Sequence, residues 1–284
     1  MQKIKENRIA SFLIVTAVYV IATVVGILTY KALNLSWWLA LLIADIVATA
    51  VTFIFSVIFN NASVYDPYWS VQPPIILIAF AFGKKLTALG VLLIIAVCFW
   101  AIRLTANWAY TFKNLCHQDW RYTMLKETTG VFYPIINFVG IHLVPTLVVY
   151  GCIIPAVYAV INGCMANAFS VIFICLSIGS ATMQGVADIQ MHKFRKNKND
   201  TFIRNGLWKY SRHPNYLGEI LMWWGVALSV VCSCPNAWYL IIGAVANTLL
   251  FFVVSIPMAD KRQSKKDGFN EYKSQTRMLL PIKK

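Results

Sequence analysis

Eight apolar runs, separated by short polar turns, restrict this chain to very few folds. They cover roughly 9–30, 37–59, 70–83, 86–104, 137–159, 167–186, 218–232 and 237–257. A run of about 20 apolar residues spans the hydrocarbon layer of a bilayer at about 1.5 Å per residue. Inside that layer each backbone polar group must be paired within its own segment, which selects helices. The expected fold is therefore all-α: a polytopic integral membrane bundle of about eight helices (seven to ten). The third run is short and the fourth follows it closely. The first run begins after Arg8 and reaches Tyr30, longer than the apolar core of a signal peptide, so it reads as a first transmembrane helix. With 59% hydrophobic residues and a mean hydropathy of +0.64, a soluble domain is excluded.

The formal charge of +14 is distributed unevenly. With the N-terminus inside, the inner segments are 1–8, 60–69, 105–136, 187–217 and 258–284. Counting Arg103 at the inner end of the fourth run, they hold every Lys and Arg except Lys31, Lys84 and Lys85. The positive-inside rule then places both termini and the large polar segments in the cytoplasm. The basic charge is accounted for by topology, so a nucleic-acid partner is not expected. The seven cysteines lie mostly in apolar segments and read as small packing residues. Cys232 and Cys234 are one residue apart, which is not zinc-ligand spacing. No metal site is expected.

Residues 203–225 place a basic, aromatic loop against the start of an apolar helix. Its core is Tyr210-Ser211-Arg212-His213-Pro214-Asn215-Tyr216-Leu217-Gly218-Glu219. Ionisable groups at a membrane edge are costly and point to a functional site. An interfacial anchor would explain the Trp, Tyr and Lys residues but not Glu219. Pro214 suits a first helical turn, where its missing amide costs nothing. Asn215 and Glu219, four apart, share a face of that helix, and the helix N-terminus favours an anion. Gly218 permits close approach by a ligand or by a neighbouring backbone. Upstream, Asp188, His192 and Arg195 fall on one helical face, followed by further cations up to Lys198. That face is either a solvated ladder or a site where Arg195 holds phosphate and Asp188 orients a ribose or an arginine. The cytoplasmic surface comes from 103–136, 187–217 and the tail from Met258. Its Arg and aromatic content suits an anionic cofactor with flat rings.

These residues carry a resemblance. The run Gly206-Leu207-Trp208-Lys209-Tyr210-Ser211-Arg212-His213-Pro214-Asn215-Tyr216-Leu217-Gly218-Glu219, with Glu271-Tyr272 and Leu279-Leu280-Pro281 in the tail, resembles the steroid 5α-reductase C-terminal-domain family, most closely its bacterial-type branch. Tyr65-Asp66-Pro67-Tyr68, His117-Gln118-Asp119-Trp120-Arg121-Tyr122 and Gly140-Ile141-His142 extend the match over about 60–284. Residues 1–59 add N-terminal helices to what reads as a single domain. The resemblance implies NADPH bound in the cytoplasmic half, at about 180–284. The family's Asn-x-x-Gly-Glu cofactor turn matches Asn215, Gly218 and Glu219, and its Asp/Arg cofactor element matches Asp188 and Arg195. Arg212, His213 and Tyr216 belong to the same loop. Glu219→Gln is expected to weaken cofactor binding with little change in folding. By the branch resemblance the membrane is a bacterial inner membrane, or the endoplasmic reticulum in a eukaryote.

The chain departs from the family at the substrate end. The 5α-reductases polarise a steroid ketone with a Glu on an early helix and a Tyr on a later one. The stand-ins here are Tyr65, Asp66 and Tyr68, which otherwise read as an Asp-Pro turn with interfacial aromatics. Trp100 occupies the place of the later Tyr. The expected activity is NADPH-dependent reduction of a C=C conjugated to a carbonyl in a lipophilic substrate arriving through the bilayer. A 3-oxo-Δ4-steroid is the first candidate, and polyprenols, enoyl lipids and other sterols are further ones. The alternative is an S-adenosylmethionine-dependent methyltransferase of the isoprenylcysteine or phospholipid type, whose core is similar to Arg212-His213-Pro214-x-Tyr216-x-Gly218. Those families carry paired acidic residues before the tail, whereas Asp260 stands alone. A non-enzymatic transporter would rest on Asp45 and His142, the ionisable residues within spans.

Overall fold

The computed structural model describes residues 2–197 and 201–281, so Lys198 lies outside the described residues. All regular elements among them are helical. In order they are α1 (Gln2–Glu6), α2 (Arg8–Ala32), α3 (Trp37–Ile58), α4 (Tyr68–Ala81), α5 (Ala88–Thr111), α6 (Trp120–Thr129), α7 (Tyr133–Ile136), α8 (Val144–Asn162), α9 (Ala168–Asn197), α10 (Pro214–Ser233), α11 (Ile242–Leu250), α12 (Ile256–Gln263) and α13 (Phe269–Gln275). Seven stretches are long and apolar enough to cross a membrane: Arg8–Ala32, Trp37–Ile58, Ala88–Thr111, Trp120–Asn162, Ala168–Asn197, Pro214–Ser233 and Pro235–Gln263. The chain is an integral membrane protein. The third expected run became α4, whose 14 residues reach about 21 Å, short of the roughly 30 Å hydrocarbon layer.

The chain divides into two compact units, Met1–Ile76 with Leu104–Tyr150 and Leu77–Arg103 with Gly151–Lys284. In the first, Asn7 caps α2 by accepting the amide of Ala10 at 3.0 Å. The apolar face of α2 packs Val15, Val18, Tyr19 and Ala22 against Ala48, Val64, Tyr65 and Tyr68. Helix α3 is polar on its buried side, with Asp45, Thr49, Thr52 and Ser56 at steps of four, three and four. Its Ile54, Val57 and Ile58 are exposed. A segment needs no polar stripe to insert in lipid, so a buried one calls for partners. Residues Asn137–Leu143, between α7 and α8, form a π-turn, a distortion that recurs at functional sites.

The second unit is built on the pairing of α9 with α10. A Cβ at Gly218 would meet the Gln184 side chain and the Ser180 carbonyl, and one at Gly225 would meet Ser177 and the Phe173 carbonyl. Two glycines seven residues apart thus let the helices approach to backbone distance, a small-residue seam suited to lipid, where no hydrophobic effect drives helices together. Of the seven cysteines, Cys164 and Cys234 are not packing residues but form a disulfide. Cys164 follows the left-handed turn at Gly163 and Cys234 ends α10. The fold brings these two turns together, which their spacing of 70 residues did not suggest.

Candidate functional site

Pro214 opens α10, as its fixed φ favours, and this sets Glu219 in the second turn. The Glu219 carboxylate is buried and fully engaged. Its Oε2 accepts the Trp100 indole N–H at 2.8 Å and the Gln184 amide at 3.0 Å, and its Oε1 accepts the Trp223 indole N–H at 2.9 Å. Arg103 stands 3.8 Å from the same carboxylate. That guanidinium donates to Asp188 at 3.0 Å and also to the Gln184 carbonyl oxygen. Trp100 therefore supplies an indole donor to a carboxylate of its own unit. Asp188 is neutralised by Arg103, and Gly218 meets the Gln184 side chain and so serves helix packing.

The loop before α10 is held from the tail. Arg212 donates to Asp260 at 3.0 Å and to the Thr276 carbonyl at 2.6 Å, and its backbone amide bonds Arg277 at 3.0 Å. His213 Nε2 lies 2.9 Å from the other Asp260 oxygen, and Lys273 approaches the same carboxylate at 3.7 Å. Asp260, which stands alone in sequence, is the centre of this cluster. Arg212 and His213 are both buried. Both are spent on tying the tail to the loop, a latch in which each charge has a partner.

The remaining cofactor candidates lie where this unit is less buried. Tyr216 stacks on the His213 ring, with centroids 5.2 Å apart and planes 3° from parallel, and Asn215 beside it is half-buried. Arg195 is exposed near the end of α9. It shares its surroundings with Arg262 and Lys266 of the tail. Partial burial, then the charges of Arg262 and Arg195, hold the Lys266 ammonium below its usual range. Arg195, Arg262 and Lys266 are thus close enough for their charges to interact, a chemistry that suits an anion. Among the described residues no group of His, Cys, Asp or Glu side chains could hold a metal.

Tyr65, Asp66 and Tyr68 belong to the first unit, and the structure separates their roles. The Asp66 carboxylate accepts the Tyr122 hydroxyl at 2.5 Å. Burial first, with Asp119 adding to it, holds Asp66 up at about 6 against the opposing pull of Arg121 and Tyr122. Tyr68 instead donates to Asp45 of α3 at 3.1 Å. Tyr65 shares a 2.8 Å hydrogen bond with Thr146, which is 3.0 Å from Thr49. Tyr65, Tyr68, Asp45, Thr49 and Thr146 are all buried. Burial, then the Asp45 charge, raises the Tyr68 phenol well above its ordinary value; burial likewise raises Tyr65. Both phenols keep their protons at neutral pH. The second Asp45 oxygen, Oδ2, is buried without a close hydrogen bond, although the Gln72 side chain stands by this carboxylate, and His142 Nε2 in the π-turn is likewise without one. His142 Nδ1 lies 2.9 Å from the Asn137 carbonyl, so that nitrogen carries the proton. Asp45 is thus the member of this group that motif matching missed. Its signal was present: an acidic residue inside a span, with Thr49, Thr52 and Ser56 on the same face.

A family model described as "Protein of unknown function (DUF1295)" matches residues 52–276, and the chain belongs to that family. No curated protein and no solved structure matches it significantly.

Proposed function

We propose that this family member is an NADPH-dependent membrane reductase of a C=C conjugated to a carbonyl in a lipophilic substrate. A 3-oxo-Δ4-steroid is the first compound to try. The observation that carries the reading is the Tyr68–Asp45 pair. A phenol kept protonated rests on a buried carboxylate whose other oxygen has no close hydrogen bond, within a unit built from membrane helices. An acid on an early helix and a Tyr on a later one are what the resemblance to 5α-reductases calls for. In such a pair the phenol would turn its single proton from Asp45 to a substrate carbonyl as negative charge develops there, and Asp45, protonated, would donate to the phenol oxygen in its place. A methyl transfer has no use for a carbonyl-polarising pair.

The residues of the second unit fit an anionic dinucleotide in part. Arg195, Arg262 and Lys266 would hold phosphates, and Tyr216 with Asn215 would meet a ring or an amide. Asp188, Arg212, His213 and Glu219 would act from behind, by fixing α9, α10 and the tail. NADPH, when bound, supplies the hydride. The crowded cations weigh against S-adenosylmethionine, whose sulfonium is itself positive. With α4 counted as a short eighth pass beside the seven long stretches, charge asymmetry orients both termini to the cytoplasm. The Cys164–Cys234 disulfide then falls on the opposite side, where disulfides persist.

The test is thermal stabilisation of the detergent-solubilised protein by NADPH, NADH and S-adenosylmethionine in parallel. A ligand of the native state adds about 2.7 kcal/mol at 100 times its Kd. NADPH stabilisation followed by enone-dependent NADPH oxidation is the expected result. Stabilisation by S-adenosylmethionine alone would overturn the reading.

A further inference from the structure

The first unit carries a cavity of about 400 Å³ that none of the residues above explains. Phe12, Val20 and Val24 of α2 form one wall; Val71 and Ile75 of α4, with Trp108 of α5, form the other. From Phe12 to Val24 the wall runs twelve residues along one helix, about 18 Å. The space is therefore a slot parallel to a membrane-crossing helix, narrow in proportion to its length. Val20, Val24 and Ile75 are exposed at its rim, so it opens toward lipid.

Two polar groups in the wall are already satisfied. The Tyr19 hydroxyl donates to the Val64 carbonyl at 2.6 Å, and Thr105 shares a 2.9 Å hydrogen bond with Ser70. Thr16 and Thr23 of α2 are the remaining hydroxyls of a wall otherwise made of Phe, Val, Ile, Trp and Pro, and that lining favours a hydrocarbon chain. At the Phe12 end stands Arg8, exposed and 5.6 Å from the Phe12 ring centroid. Arg8 donates to the Ala109 carbonyl at 2.9 Å, leaving further N–H groups, and forms no ion pair among the described residues. An apolar slot ending at an unneutralised guanidinium matches a molecule with a long hydrocarbon chain and an anionic head.

We propose that this slot binds one acyl chain of an anionic phospholipid, with the phosphate at Arg8. The site is independent of the reductase reading, since it uses neither the Tyr68–Asp45 pair nor the cations of the tail.

Native mass spectrometry of the detergent-purified protein tests it, with dioleoyl phosphatidylglycerol and dioleoyl phosphatidylcholine offered together. One phosphatidylglycerol should be retained in preference. Arg8→Gln should reduce that preference about five-fold, as expected for one cation at a lipid surface. Val20→Trp should abolish retention of either lipid by filling the slot from an exposed position. A Val57→Trp control, also exposed but outside the slot, should change nothing. Equal retention of the two lipids by the wild type, or equal retention by wild type and Val20→Trp, would overturn the proposal. So would selective retention of cholesterol or a polyprenol over both phospholipids. NADPH binding is measured on the same samples, so a failed reductase reading and a failed lipid site are told apart.

Discussion

Replacing Glu219 with Gln separates two roles for the residue at the centre of the most distinctive motif. In the structure Glu219 accepts three side-chain N–H groups, from Trp100, Gln184 and Trp223, all within 3.0 Å. A carboxamide offers one oxygen. If that oxygen takes the place of Oε2, it keeps Trp100 and Gln184, and its NH2 is turned against the Trp223 indole. In the opposite orientation two donors are stranded. A buried donor left without an acceptor costs about 1–3 kcal/mol. Arg103, 3.8 Å away, also loses a compensating charge. The sum is about 2–4 kcal/mol, and for a chain of this size that corresponds to a drop on the order of 5–10 °C in Tm. The assay is thermal unfolding in detergent at one fixed scan rate, because membrane proteins often unfold irreversibly. Glu219→Gln should melt early both with and without NADPH. If it melts with the wild type while stabilisation by NADPH disappears, the carboxylate faces a ligand and its partners in the structure are misassigned.

Removing the latch should act differently. Arg212→Ala leaves Asp260 buried with only His213 and Lys273, a loss of about 3–5 kcal/mol. Limited proteolysis should then cut the tail beyond Gln263 sooner, and an unchanged cleavage rate would refute the latch. Asp66 gives a pH signature. Its folded value of about 6 lies above the ordinary 3.8, so the native state binds the extra proton between those values. The stabilisation is complete below 3.8 and lost as pH rises through about 6. Melting curves from pH 4 to 8 should show this fall, and Asp66→Asn should flatten it. Tyr68→Phe and Asp45→Asn should each reduce enone turnover about 100-fold while leaving NADPH affinity unchanged; normal turnover in both would place the carbonyl donor elsewhere. Gly218→Ala drives a methyl group into Gln184 and the Ser180 carbonyl. It should destabilise by about 1–3 kcal/mol, and a variant that melts like the wild type would refute the close seam.

The membrane-helix fold was legible because it depends on local quantities, the length and hydropathy of each run. Pro214 as the start of α10, and the shared helical face of Asp188, His192 and Arg195, were legible for the same reason. Partnerships were not. Asp66 and Tyr68 are two residues apart in a tight turn, so sequence proximity grouped them, whereas their hydroxyl and carboxylate partners are Tyr122 and Asp45, 56 and 23 residues away. Asp260 looked isolated because Arg212 and His213 reach it across 48 and 47 residues. The Cys164–Cys234 disulfide was hidden in the same way: hydropathy reports which segments enter the bilayer, not which of their ends meet.

A motif of charged residues at a membrane edge is commonly read as a set of hands for a ligand. Here the accounting of partners divides it. Glu219 is engaged by indole and amide donors, Arg212 by Asp260 and a tail carbonyl, and His213 by Asp260. In a low-dielectric setting such groups must be paired before any ligand arrives, since an unpaired buried charge would unfold the site. What they can give a ligand is rigidity: α9, α10 and the tail held in one arrangement. In the proposed reading, recognition of a phosphate then falls to Arg195, Arg262 and Lys266, where the charges of Arg262 and Arg195 add to burial in holding the Lys266 ammonium below its usual range. Lys266→Gln should therefore weaken NADPH binding more than it changes Tm, the reverse of the result expected for Glu219→Gln.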